Sequence, residues 1–119
     1  MSKLVVNILS EAQELIRDPS KWSQGALARN KDGVAVHSDD KSACSWCALG
    51  AVDFIGTKRR EYIATSRALD AMSLAAEDWA HTASGTLGET APTWVNDYFG
   101  HAAVMEMFDR AIQIAKEED

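Results

Sequence analysis

Cys44 and Cys47 stand three positions apart around Ser45-Trp46 and lead into the small apolar run Ala48-Leu49-Gly50-Ala51. Thiols at this spacing suit three chemistries. A redox dithiol needs its first cysteine at a helix start just after a buried strand, where the helix dipole lowers its pKa. Here the preceding Ser38 to Lys41 is polar, and no strand-helix-strand pattern surrounds the pair. A zinc site tolerates the spacing, and His37, His81 or His101 could complete it, but structural zinc sites show a second compact ligand pair and this chain has none. Nor does a His-x-Glu precede the cysteines, as zinc deaminases require. No metal and no cofactor are therefore expected. The third chemistry is nucleophilic: Cys47 or Cys44 as attacking thiol, His101 as base, and Asn96 or Asp97 as the group that orients the imidazole. Against it, Cys47 lies among Trp46, Ala48 and Leu49 and reads as a small buried hydrophobe, and burial raises a thiol's pKa and blunts it. Of the two thiols, Cys44 is the one expected at the surface.

The four tryptophans, Trp22, Trp46, Trp79 and Trp94, are large anchors for a small chain. Trp22 and Trp94, with Gln24 and Arg29, are candidates to line a ligand or partner site near Asn96-Asp97. The same residues suit a hydrogen-bonded junction between a hairpin and a loop, which is the expected reading because buried indole and amide groups need partners.

These residues must be positioned by helices. Leu4, Val5, Ile8, Ala12, Leu15 and Ile16 recur at helical spacing and predict a first amphipathic helix, ended by Asp18-Pro19. Between Trp22 and His37 the helical period is lost, and Asn30-Lys31-Asp32-Gly33 between two short segments, Gly25 to Arg29 and Val34 to His37, predicts a small hairpin with Gly33 at positive φ and Trp22 anchoring its mouth. Ser38-Asp39-Asp40 supplies oxygen acceptors ahead of a second helix at about 41–55, with Ala43, Trp46, Cys47, Gly50, Ala51 and Phe54 on one face and Gly56 as its stop. Thr57 is expected to cap a third helix running through Tyr62, Ser66, Leu69, Met72 and Ala76 to about Trp79, long enough that an internal break is possible. Residues 81–93 read as a loop. Asp97 and Gly100 turn the chain into a last helix with Val104, Phe108, Ala111, Ile112 and Ala115 on one face. The expected fold is mainly α: a single compact domain, 1–119, of about four helices with a small β-hairpin between helices 1 and 2.

Composition limits the function classes. Across 119 residues, a hydrophobic fraction of 46% and a charged fraction of 25% suit a globular domain. The net charge of −6 argues against nucleic-acid binding, which draws its affinity from lysines and arginines. Lys58-Arg59-Arg60, the only basic cluster, runs straight into Glu61 and reads as a solvated helix start. Apolar runs are too short to span a membrane, residues 1–20 lack a secretory pattern, and two cysteines without such a signal are expected as free thiols in the cytoplasm.

Several of these stretches together resemble a known family. Trp22 to Arg29, Asp32-Gly33, Trp46-Cys47-Ala48-Leu49-Gly50-Ala51, Asn96-Asp97 and the closing helix are similar to an uncharacterised family of small bacterial and phage proteins, a domain of unknown function. The W-C-A-x-G-A core is the most specific part. Where the family pattern has tryptophan directly before Asn-Asp, Val95 intervenes here, implying a shifted aromatic anchor. The resemblance implies a fold and no activity. Two function classes stay open: a non-enzymatic protein-interaction or accessory domain, which is the expected one, and a small cysteine-dependent hydrolase or transferase.

Overall fold

The structure, a computed structural model, describes residues 1–84 and 92–118, with side chains described up to residue 78 and again from residue 92. It is mainly helical. Helix α1 spans Ser2–Leu15, α2 Ala48–Arg59, α3 Tyr62–Ser84, α4 Pro92–Tyr98 and α5 Gly100–Glu117. A 3-10 turn at Pro19–Lys21 and three two-residue strands, β1 Ala28–Arg29, β2 Ala35–Val36 and β3 Ser45–Trp46, connect α1 to α2.

Both terminal helices follow the predicted pattern. Val5, Ile8, Leu9 and Ala12 bury one side of α1, and Val104, Met107, Phe108, Ala111 and Ala115 one side of α5. The first helix closes at Leu15, three residues ahead of the predicted stop at Asp18-Pro19, and Asp18 then accepts the Ser20 amide at 2.9 Å to start the 3-10 turn. The predicted hairpin is present. Ala28 pairs with Val36 and Arg29 with Ala35 in antiparallel register, and Gly33 turns the chain at φ +80°. Asn30 Oδ1 accepts the amides of Asp32 and Val34, beside the backbone bonds from the Asn30 amide to the Val34 carbonyl and from the Gly33 amide to the Asn30 carbonyl.

The region from 41 to 60 differs from the expectation. Residues 41–47 are not helical. Ser45 and Trp46 add a third strand to β1, and the helix starts only after Cys47, whose extended backbone makes it the N-cap. Trp46 and Cys47 fit helical spacing in the sequence as well as they fit a strand, and pairing with a strand sixteen residues back carries no local signal. Asp40 serves a turn, accepting the amide and hydroxyl of Ser42; these bonds hold its carboxyl below the ordinary value.

Gly56 does not stop α2, nor does Thr57 cap α3. The helix runs on to Arg59 and closes with Arg60 in the left-handed conformation, its amide bonded to the Thr57 carbonyl and that of Glu61 to the Gly56 carbonyl. This is the usual glycine motif with arginine in the glycine position. Gly56 is needed for packing: a Cβ there would stand 1.8 Å from Thr65 Oγ1 on α3.

Helix α3 packs against the other four α-helices. Its buried face is Ala64, Ala68, Ala71, Met72, Ala75 and Ala76, while Tyr62 and Ser66 lie outside. Small alanines on this face let neighbouring helices approach closely. No break interrupts α3, and it continues to Ser84, through the start of the expected 81–93 loop. Residues 85–91 of that loop lie outside the described residues, as do the side chains of Trp79 and His81. Pro92 onward is helical, so Trp94 to Asp97 belong to α4 rather than to a turn. One hydrophobic cluster joins the four long helices with Ala28, Trp46 and Val95. Among the described residues, no helix is long and apolar enough to cross a membrane.

Candidate functional site

Helices α2 and α4 and the segment after the 3-10 turn meet at Asn96. Its side chain is 0% exposed and uses all four of its hydrogen-bonding positions. Oδ1 accepts the Trp22 indole N–H at 2.7 Å and the Ala48 amide at 3.0 Å. Nδ2 donates to the Ser23 carbonyl at 3.0 Å and to Asp97 Oδ1 at 2.9 Å. The Ala48 bond matters locally because the first amides of a helix have no partner within it. Asn96 thus caps α2 from another element.

Asp97 extends the seam by accepting the Gly25 amide at 3.1 Å. Gln24 Nε2 donates to the carbonyls of Asn96 and Asp97, both at 3.1 Å, and so caps the last turn of α4. Arg29 braces the strip from behind, donating through Nε and Nη2 to the Gln24 carbonyl and through Nη1 to the Gly33 carbonyl. Trp22, Gln24 and Arg29 are therefore brought together around Asn96-Asp97, in a junction.

Cys47 lies at the same place and is 5% exposed. Its Sγ accepts the Gly50 amide at 3.3 Å, a second capping bond on α2. Burial pushes its thiol up from the ordinary value, against the lowering effect of the Gly50 amide, and nearby Asp97 pushes it up further. Trp46 packs on Phe54, with ring centroids 5.0 Å apart, and donates to the Ser38 carbonyl. Cys44 is exposed, as expected, and its backbone amide bonds to the Arg29 carbonyl.

The structure does not join the candidate base to this group. His101, in the first turn of α5, has Nε2 2.8 Å from the Ile16 carbonyl and its ring edge-on to Trp22 at 5.4 Å. A carbonyl only accepts, so Nε2 carries the proton and the imidazole ties α5 to the end of α1. Among the described residues it makes no hydrogen bond to Cys44, Cys47, Asn96 or Asp97. The set proposed for nucleophilic catalysis is thus divided: Cys47, Asn96 and Asp97 meet, and His101 is engaged elsewhere. Among the described residues, no group of three or more His, Cys, Asp and Glu side chains is placed to hold a metal ion.

What faces outward beside the junction is aromatic. Trp94, half-buried, packs edge-on against Phe99 with centroids 4.7 Å apart, and Tyr98 is 76% exposed. Tyr98 and Phe99 escaped the sequence reading. Two adjacent aromatics ahead of Gly100 give the same signal whether they enter a core or leave it, and only the close of α4 at this point sets them outside.

No curated protein and no solved structure matches this chain. A family model described as a family of unknown function (DUF6197) matches residues 1–114, and the chain belongs to that family.

Proposed function

We propose that this domain is a non-enzymatic protein-interaction module that meets its partner through the aromatic corner Trp94-Tyr98-Phe99. The observation that carries this reading is the contrast within one locality. Three of the polar groups that could do chemistry are consumed by structure: Asn96 by four hydrogen bonds, Cys47 by capping and burial, and His101 by the Ile16 carbonyl. Beside them, Tyr98 is 76% and Phe99 39% exposed, next to Trp94, which packs partly buried against the core. Exposed aromatic surface costs solvation free energy, and in protein interfaces such residues supply much of the binding energy. A net charge of −6 favours a partner whose contact surface is basic.

Two measurements test it. Native protein titrated with a thiol reagent is expected to react at one cysteine, Cys44, with Cys47 reacting only on unfolding; a Cys47 thiolate near neutral pH would revive the enzyme reading. Affinity capture at physiological salt is expected to yield a stoichiometric complex that purified Tyr98→Ser protein fails to form. Capture unaffected by Tyr98→Ser, or none at all, rejects the aromatic corner as the docking surface.

A further inference from the structure

Helix α3 carries on its solvent side a pattern that is complementary to itself when reversed. Arg60 at the corner before the helix and Ile63, Arg67, Asp70, Leu74 and Glu77 on it are spaced three, four, three, four and three residues apart. From Ile63 to Glu77 this spacing keeps one stripe on a single side of a helix, and the stripe lies opposite the alanine face that enters the core. All six residues are exposed, Ile63 to 68% and Leu74 to 48%. None of the four charged members is in an ion pair among the described residues.

We propose that this stripe is the contact surface for a second copy of the chain, with the two α3 helices antiparallel about a two-fold axis between Arg67 and Asp70. In that register every facing pair is favourable. Arg67 meets Asp70 of the second copy and the reverse, Ile63 meets Leu74, and Arg60 at the corner before the helix meets Glu77. An isologous interface requires this reciprocity, in which residue i meets j and j meets i. A parallel pairing would set Arg67 on Arg67 and Asp70 on Asp70, and a shift of one turn would set Ile63 against Asp70, so the charges fix both direction and register. A shallow depression lined by Tyr62, Ile63, Ser66, Arg67 and Asp70 lies where the Leu74 side chain of the second copy would enter. One helix pair buries less than the roughly 1,200–2,000 Å² of a stable complex, so the dimer is weak and forms at high protein concentration. This surface shares no residue with the aromatic corner, so the two proposals fail separately.

The test is sedimentation equilibrium of the full chain up to about 1 mM, the weak end of specific association. The wild type is expected to dimerise. Arg67→Asp and Asp70→Arg, each alone, place like charges across the axis and are expected to weaken self-association by about tenfold or more. Mixing the two single variants restores dimerisation, because one chain then presents two acids and the other two arginines at the same positions. The double variant R67D/D70R, with the pair exchanged within one chain, also dimerises. These rescues exclude misfolding as the cause of the losses. A wild type monomeric throughout the range overturns the proposal, and so does a dimer indifferent to both single variants or a mixture that fails to recover.

Discussion

Cys47 stands at the N-cap of α2, with the Gly50 amide directed at its sulfur, a position that would stabilise a thiolate exposed to water. Burial acts in the opposite sense and is the larger effect, so the folded thiol titrates above the ordinary 9.0. The sign of the linkage follows. A folded pKa above the unfolded one contributes stability that is complete below the unfolded value and is lost as pH rises beyond it, because the unfolded chain then gives up its proton first. Urea denaturation of wild type and Cys47→Ala is expected to show a wild-type advantage that is constant below pH 9.0 and shrinks above it. An advantage unchanged to about pH 10.5 would mean that the thiol is not desolvated. The apolar neighbours of Cys47 already imply its burial from the sequence. They do not imply the capping role, which depends on where the helix begins.

At the scale of elements, two glycines set how closely α2 can be approached. A Cβ at Gly50 would lie 1.8 Å from the Leu27 carbonyl oxygen, which also accepts the Cys47 amide, so strand β1 and its lead-in are seated against the first turn of α2. What Gly50 admits is backbone next to a strand. Helix contact is made instead at Gly56, against Thr65 of α3. Gly50→Ala and Gly56→Ala are each expected to destabilise the protein by more than about 2 kcal/mol, since strain from overpacking exceeds the gain in helix propensity. Gly33→Ala, at φ +80° with nothing near its Cβ, is expected to cost about 1 kcal/mol. Thermal melts of the three variants decide between these roles. The terminal helices were legible because each has one apolar face and a polar remainder. The limits of α2 were not, because its stop is an arginine in a glycine conformation and its start depends on a third strand.

Over the whole molecule, Asn96 joins parts of the chain distant in sequence: Trp22 and Ser23 more than seventy residues away, and Ala48 forty-eight away. Replacing it by alanine removes four hydrogen bonds and leaves two donors without this acceptor, the part-buried Trp22 indole and the buried Ala48 amide. A loss of about 3–5 kcal/mol is expected by urea denaturation, a large share of a typical domain's 5–15 kcal/mol. Asn96→Asp should be no milder, because the second oxygen cannot donate to the Ser23 carbonyl and faces the Asp97 carboxylate. A cost under about 1 kcal/mol for either variant would show that water readily replaces these bonds.

The sequence by itself determined that helices dominate, that α1 ends before Pro19, that Asn30 to Gly33 turns a hairpin, and which residue types could do chemistry, because hydrophobic period, proline and turn chemistry act over a few neighbouring residues. Tertiary structure alone decided that Asn96 is consumed by four partners, that His101 serves the end of α1, and that Tyr98, Phe99, Ile63 and Leu74 face water. Whether a polar group is available or occupied, and whether an apolar one is covered or bare, depends on contacts between segments far apart in the chain, and a local pattern carries no record of them.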